Sequence, residues 1–147
     1  MTHPVGGDVP SALGDERGSM AHLERARRNL QRLTPVEAYA AQQRGAVIVD
    51  TRTSEQRART AEIPGALVID RTVLEWRLDP TFPWRIAEAT SWETQYIVVC
   101  RHGYSSSVAA KALQDVGLVN ATDVIGGFEA WVAAGLPTTH DPADVRE

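Results

Sequence analysis

The chain has 147 residues, of which 43% are hydrophobic and 23% are charged, and its formal net charge is −4. This length and composition are typical of one globular domain that buries a full core without disulfides or metal. The negative charge argues against nucleic-acid binding, and no apolar run approaches the roughly 18 residues of a membrane span. Cys100 is the only cysteine, which excludes an internal disulfide and a cysteine-based zinc cluster.

The N-terminal region divides into two parts. Residues 1–18 are rich in Gly, Pro, Ser and Asp, and we expect them to form a disordered or loosely packed tail. They show no basic region followed by an apolar stretch, so we expect no secretory signal and a cytoplasmic protein. Over 19–33 the spacing of Met20, Leu23 and Leu30 predicts an amphipathic helix that packs on the domain. Arginines occupy its other face, which we interpret as solvated rather than as a membrane or partner surface.

Apolar runs and turn residues divide the middle of the chain into alternating elements. The segment Thr34–Glu37 forms a capping box with Pro35 at the first helical position, which predicts a helix that ends at Gly45. The following segments are predicted, in chain order, as a strand over 46–50, a polar turn-rich segment, a short strand over 67–70, a helix over 72–78 and an irregular stretch over 79–94.

A four-residue apolar run, Tyr96–Val99, predicts a buried strand that leads through a short loop into a helix ended by Gly117. A further strand is predicted over 122–125 and a last helix over 126–134. Strands that alternate with helices, each strand being a continuous apolar run, predict an α/β fold with a parallel sheet covered on both faces.

Cys100 is predicted to lie where a strand ends and a helix begins, a position that binds ligands in open α/β sheets. Free backbone N–H groups and the helix dipole favour negative charge there, so we expect a reactive thiolate at neutral pH. The next two residues, an arginine and a histidine, add positive charge, and Gly103 permits a tight curl. We expect Ser105 or Ser106 to cap the helix. The alternative is a small buried hydrophobic residue, but packing alone gives no reason for a charged loop.

Three separated stretches form an ordered set of motifs. They are Val47-Ile48-Val49-Asp50-Thr51-Arg52 with Glu62-Ile63-Pro64-Gly65-Ala66, then Cys100-Arg101-His102-Gly103-Tyr104-Ser105-Ser106, and finally Gly126 to Pro137. Together they resemble the first signature, the active-site loop and the C-terminal signature of the single-domain rhodaneses, a sulfurtransferase family. The resemblance covers most of the chain and implies a rhodanese-like fold, with a central parallel sheet of about five strands flanked by helices on both faces.

The resemblance also implies an activity, that of a thiosulfate sulfurtransferase of the rhodanese type acting through a persulfide on Cys100. The residues that it assigns to donor binding are Arg101, His102, Gly103, Tyr104, Ser105 and Ser106. The expected partners are a small anionic donor such as thiosulfate and an acceptor, either cyanide or a thiol that can belong to a protein, and no cofactor is required. Because the chain has no second cysteine, an outside acceptor must remove the sulfur. The expected domain spans 19–140, followed by a C-terminal tail over 141–147.

Five other residues are candidates for supporting roles. Asp50 and Arg52, at the predicted end of a strand, are expected to support the neighbouring loops structurally. Arg71, Trp76 and Arg77 follow the next strand on the same sheet edge as the cysteine and are candidates for lining the pocket mouth. The histidines outside the loop lack ligand spacing, so no metal site is expected.

Two other functions stay open. One is a non-catalytic or sulfur-carrying rhodanese-like module that docks partner proteins. The other is a cysteine phosphatase or arsenate reductase of the same architecture. Such a loop needs one more residue and an arginine at the helix start to hold three oxygens. Ser106 stands at that position here, which favours sulfur transfer.

Overall fold

The structure is a computed structural model that describes residues 16–147, so most of the tail expected over 1–18 lies outside the described residues. The strands are β1 Val47–Asp50, β2 Leu67–Val68, β3 Tyr96–Val99, β4 Thr122–Asp123 and β5 Asp144–Val145. They form one parallel sheet in the order β4-β3-β1-β2-β5, which confirms the predicted α/β fold. Since β1 and β3 pair over their full length, the segments that follow them meet at one edge of the sheet.

The helices are α1 Ser19–Arg27, α2 Pro35–Gln43, α3 Ser54–Arg59, α4 Leu74–Arg77, α5 Ser105–Asp115 and α6 Gly127–Ala133, and a 3-10 turn over Arg71–Val73 precedes α4. The predicted capping box opens α2, with Thr34 and Glu37 bonded to each other's backbone N–H groups. Helix α3 lies in the segment that we predicted as turns. The sequence gives no apolar periodicity there, because none of the helix residues is buried. Among residues 16–147, no helix is long and apolar enough to span a bilayer.

The core has two halves because successive strand residues point to opposite faces of the sheet. On one face, Val49 and Val98 pack with Leu113 of α5. On the other face, Ile97 packs with Trp131 of α6. Burial of side chains of this size stabilises the fold by roughly 1.5–3 kcal/mol each, which makes the central strands a rigid base for the loops at their carboxyl ends.

Helix α1 packs against α5, and its buried residues are Ala21, Leu23 and Ala26. It ends at Arg27 and does not extend to residue 33 as predicted. The backbone beyond it is extended at Leu33, which forms a parallel bridge with Val124 beside β4. The helix therefore ends before the segment that pairs with the sheet, and this segment covers part of the sheet edge beside β4.

The last residues of the chain also join the sheet. Residues 141–147 were expected as a tail, but Asp144–Val145 pair with β2 as the outermost strand. The N–H of Arg146 donates to the carbonyl of Val68 over 2.9 Å. The guanidinium of Arg146 bonds Glu88, with 2.8 Å between Nη1 and Oε1. These contacts fix the end of the chain along one edge.

Candidate active site

Cys100 lies at the carboxyl edge of the sheet, directly after β3. All four residues of β3 are buried, and the strand lies between β4 and β1. Residues 101–104 connect the cysteine to α5. The cysteine itself is 6% exposed. The predicted arrangement of strand, loop and helix around the cysteine is therefore present.

Backbone N–H groups from this loop and from the first turn of α5 donate to the sulfur of Cys100. The N to Sγ distances are 3.1 Å for Gly103 and 3.3 Å for Ser106. N–H donors in this position can bind an anionic sulfur, because an anion is a stronger hydrogen-bond acceptor than a neutral group. The loop turns this tightly with Gly103 at φ +87°, a conformation that residues with side chains rarely adopt.

The backbone at the start of α6 holds the loop by its carbonyl groups. The N–H of Phe128 donates to the carbonyl of Cys100 over 2.8 Å, and that of Glu129 donates to the carbonyl of Arg101 over 3.2 Å. A Cβ placed on Gly127 would lie 2.5 Å from the carbonyl oxygen of Cys100. This approach requires glycine, so the C-terminal motif of the sequence contributes to the site through its backbone.

The serines at the start of α5 differ in their surroundings. Ser105 is exposed, whereas Ser106 and Ser107 are buried. Their two hydroxyls donate to Oδ2 of Asp123 over 2.7 and 2.8 Å. The expectation that Ser105 or Ser106 caps the helix is wrong, because the N-cap residue is Tyr104 and no side chain bonds the helix start. The Ser106 hydroxyl is instead directed to the buried carboxylate.

Asp123 is a fully buried carboxylate that the sequence analysis did not identify. Arg32 balances its charge, with 2.8 Å from Nε to Oδ1 and 3.2 Å from Nη2 to Oδ2. A buried carboxylate without a cation and hydrogen bonds would be strongly destabilising, so this pairing is a condition for folding. The sequence did contain a signal for it, namely one acidic residue in an otherwise uncharged predicted strand.

Two arginines of the N-terminal segment contact the carbonyl of Gly103. The distance from Nη2 is 2.8 Å for Arg27 and 3.1 Å for Arg32, and Nε of Arg27 also donates to Oγ of Ser107 over 3.0 Å. The expectation of a solvated basic face is therefore wrong for these two, although Arg28 between them is exposed. Burial, and then the charge of Arg32, lower the pKa of Arg27.

A cavity of about 380 Å³ lies over the cysteine. Its lining residues are Thr51, Arg52, Thr53, Gln56, Cys100, Arg101, His102, Tyr104 and Ser105. The cavity thus lies between the loop and the residues that follow β1. Gly103 and Ser106, the other predicted binding residues, contact the sulfur through their N–H groups.

Arg101 and His102 both approach Glu129 at the first turn of α6. The distances to its Oε1 are 3.3 Å from Nε of Arg101 and 3.2 Å from Nε2 of His102. The Arg101 side chain is 52% exposed and that of His102 is 13% exposed. A carboxylate that the sequence analysis did not identify therefore reduces the positive potential at the cavity.

Asp50 and Arg52 form a buried ion pair, with 2.8 Å between Oδ2 and Nη2. The guanidinium also donates to the hydroxyl of Thr60 and the carbonyl of Ala61, and it lies 3.7 Å from the ring centroid of Phe128. These contacts join the segment after β1 to the start of α6.

Arg71, Trp76 and Arg77, the candidates for the pocket mouth, are not among the described residues that line the cavity over the cysteine. Arg71 pairs with Glu75 on the next helical turn. Arg77 donates to the carbonyl of Trp84. Trp76 is 49% exposed. The partners of Arg71 and Arg77 thus lie outside the loop.

Within the described part of the chain, no group of three or more His, Cys, Asp or Glu residues is arranged to hold a metal ion. The reactive group that the geometry presents is the Cys100 sulfur, with N–H donors on it and a cavity beside it. Such a group can attack an electrophilic sulfur or another soft centre and hold the product as an anion.

Comparison with known families gives a match to a family model described as a rhodanese-like domain, over residues 34–134. The thiosulfate sulfurtransferase GlpE of Pseudomonas savastanoi pv. phaseolicola is 34% identical, over 70% of this chain and 88% of that protein. The GlpE protein of Haemophilus influenzae strain PittEE is 28% identical, over 74% of this chain and 94% of that protein.

Two solved structures extend the comparison. A protein of unknown function from Rhodopseudomonas palustris, described as a possible tyrosine phosphatase, has a TM-score of 0.75 and 33% identity, and covers 88% of this chain and 98% of its own. The human single-domain sulfurtransferase TSTD1 has a TM-score of 0.59 and 25% identity, with coverage of 69% and 95%.

Proposed function

The chain belongs to the family of rhodanese-like domains, as its motifs predicted, and from this membership we propose that it is a sulfurtransferase acting through Cys100. The donor is a small anionic sulfane-sulfur compound such as thiosulfate, and the acceptor is cyanide or a thiol. One observation carries the proposal: the N–H groups of Gly103 and Ser106 converge on Sγ beside a cavity.

In the first step, the Cys100 thiolate attacks the outer sulfur of thiosulfate. A bond forms between Sγ and that sulfur, the sulfur–sulfur bond of thiosulfate breaks, and sulfite leaves with the bonding electron pair. The product is a persulfide anion on Cys100, and the total charge is unchanged. The loop N–H groups stabilise negative charge on sulfur before and after transfer, so they need little reorganisation.

In the second step, the acceptor attacks the terminal sulfur of the persulfide and the Cys100 thiolate leaves. With cyanide the product is thiocyanate. Since the chain has no other cysteine, the persulfide has no internal thiol to form a disulfide with. The cycle is therefore of the ping-pong type, with donor and acceptor using the same cavity in turn.

Donor binding is proposed to involve Arg101 and His102 at the cavity, together with the loop backbone. Tyr104 and Ser105 line the same space. Because Glu129 contacts both Arg101 and His102, the attraction for a dianion is weaker than the two side chains alone would provide.

The test is an assay of thiocyanate formation from thiosulfate and cyanide with the full chain and with Cys100→Ser. We expect turnover by the wild type and none above background by the variant, which has no thiol left to carry sulfur. Circular dichroism of both proteins checks that the fold is retained. Equal turnover by the two proteins would rule out the mechanism.

A second candidate is phosphatase activity, because the Rhodopseudomonas palustris neighbour is described as a possible tyrosine phosphatase. Ser106 occupies the position where a phosphate-binding loop would need an arginine, and its hydroxyl donates to the buried Asp123. This arrangement supports sulfur transfer better. Hydrolysis of p-nitrophenyl phosphate, measured with the same two proteins, should be undetectable, and Cys100-dependent hydrolysis would favour the phosphatase instead.

A further inference from the structure

Gly103 and Ser106, whose N–H groups donate to the cysteine sulfur, are linked to arginines of the N-terminal segment, the first directly and the second through Asp123. The carbonyl of Gly103 accepts bonds from Arg27 and Arg32. The hydroxyl of Ser106 donates to Asp123, whose carboxylate is paired with Arg32. We propose that Arg27 and Arg32 are positioning residues that set the geometry of the sulfur-binding loop and stabilise the Cys100 thiolate.

The contacts act on the loop at defined atoms. With the Gly103 carbonyl fixed by two cations, the plane of the following peptide is fixed as well. No peptide bond in the described residues is cis, so the N–H of Tyr104 points away from the arginines. The arginines therefore fix both the conformation of the loop and the orientation of the peptide dipole between Gly103 and Tyr104.

These arginines belong to a part of the chain that precedes the residues matched by the family model, which begin at 34. Helix α1 is anchored on α5 by its buried Ala21, Leu23 and Ala26. The segment after it is anchored by the backbone pairing of Leu33 beside β4. Arg27 and Arg32 thus approach the loop from a rigid base, which a positioning role requires.

The charges around the sulfur come from every neighbouring element. The charged groups are Arg101 of the loop, Glu129 of α6, Asp50 at the end of β1, Arg52 after it, Asp123 of β4, and Arg27 and Arg32 of the N-terminal segment, and the titratable groups His102 and Tyr104 of the loop lie among them. Arg27 and Arg32 carry two positive charges against the one negative charge of Asp123. The Arg27 guanidinium bonds the carbonyl of Gly103 over 2.8 Å, and the N–H of the same residue donates to the sulfur, so removing Arg27 takes away a cation beside the sulfur-binding loop.

The test measures alkylation of Cys100 by iodoacetamide as a function of pH, in the full chain. Arg27→Met keeps the length of the side chain but removes the cation, and Arg28→Met is the matched control because Arg28 is exposed. We expect Arg27→Met to raise the alkylation midpoint by about half a pH unit or more, and Arg28→Met to leave it unchanged. Arg27→Lys, which keeps the charge and loses the planar fork, should have a midpoint between those of Arg27→Met and the wild type.

Thermal unfolding separates positioning from folding. Arg32→Met would leave Asp123 buried without its cation, so Arg32 is tested in the double variant Arg32→Met/Asp123→Asn, whose amide still accepts from the serines. The proposal is overturned if Arg27→Met and this double variant melt as folded proteins and keep the wild-type midpoint. If Arg27→Met does not fold, the alkylation midpoints of the double variant and of Arg27→Lys are compared with that of the wild type instead. Wild-type midpoints in both would overturn the proposal.

This inference deepens the proposed sulfur transfer, but its readout does not depend on that activity. Alkylation needs only a reactive thiolate, so a shifted midpoint supports the positioning role even in a protein that turns over no thiosulfate. Conversely, active wild-type protein with unshifted variants would support the transfer reaction and overturn the role of the arginines.

Discussion

Nε2 of His102 lies 3.2 Å from Oε1 of Glu129. The same oxygen lies 3.3 Å from Nε of Arg101, so one carboxylate engages both side chains that we expected to attract an anionic donor. Glu129 is in the first turn of α6, and its side chain is 40% exposed. The cavity is therefore less positive than the loop sequence suggests.

Glu129→Gln should increase the preference of the cavity for anions. We expect alkylation of Cys100 by iodoacetate to accelerate relative to iodoacetamide, by up to about fivefold, because exposed ion pairs are worth at most about 1 kcal/mol. The KM for thiosulfate should fall as well, because the donor is also an anion. Asp115→Asn, at the far end of α5, is the control and should change neither value. An unchanged ratio in Glu129→Gln would show that the carboxylate does not influence the reacting anion.

Gly127→Ala should distort the catalytic loop as well as destabilise the protein. The new Cβ would meet the carbonyl of Cys100 at 2.5 Å, so the backbone has to shift. Gly135→Ala is the matched control, because Gly135 also has positive φ but nothing lies within 4 Å of its Cβ position. We expect the control to lose about 1 kcal/mol of unfolding free energy and to retain activity.

The Gly127 variant should lose more stability than the control and most of its sulfur transfer, as shown by urea unfolding and the thiocyanate assay. Retention of wild-type turnover by a folded Gly127→Ala protein would show that the contact between α6 and the loop is not needed for catalysis.

Much of the site could be predicted from the sequence because its determinants are local. The apolar run Tyr96–Val99 and the loop with Gly103 placed Cys100 correctly between a strand and a helix. The capping box of α2 was predicted for the same reason. A second capping box, Thr53 to Gln56, opens α3 and could have identified that helix despite its lack of buried residues.

The contacts of Arg27, Arg32 and Asp123 could not be predicted in this way. Arg27 and Gly103 are 76 positions apart, and Arg32 and Asp123 are 91 apart. No periodicity in a single sequence encodes such a pairing, and arginines on an amphipathic helix are normally solvated. Strand β5 was missed because both of its residues are exposed and form no apolar pattern.

Arg52→Met should be strongly destabilising. It would leave the fully buried Asp50 without its cation, and removing one partner of a buried ion pair typically costs about 3–5 kcal/mol. Arg59→Met is the control, since Arg59 is 70% exposed and should lose less than about 1 kcal/mol. Urea unfolding of both variants makes the comparison, and similar losses in the two would contradict the assigned role of the pair.

The attachment of β5 should weaken in acid. Hydrogen bonds from Arg146 lower the pKa of Glu88 below its ordinary 4.5 and that of Asp144 below its ordinary 3.8. A lowered pKa means that the folded state favours the charged carboxylates, so their contribution is complete above about pH 4.5 and is lost as pH falls through the folded-state values.

Arg146→Gln should therefore unfold at a lower temperature than the wild type at pH 7, and the difference should shrink towards pH 3. Melting curves of the two proteins across this range check the prediction. A difference that stays constant with pH would show that the ion pairs do not contribute to stability.

The most direct test of sulfur transfer through Cys100 is intact-protein mass spectrometry after incubation with thiosulfate. The wild type should gain the mass of one sulfur atom, lose it again on addition of cyanide, and release one sulfite per sulfur bound. Cys100→Ser should gain nothing, since the chain has no other cysteine. An equal mass gain in both proteins, or thiocyanate production by a wild type that never carries the extra sulfur, would contradict the persulfide mechanism.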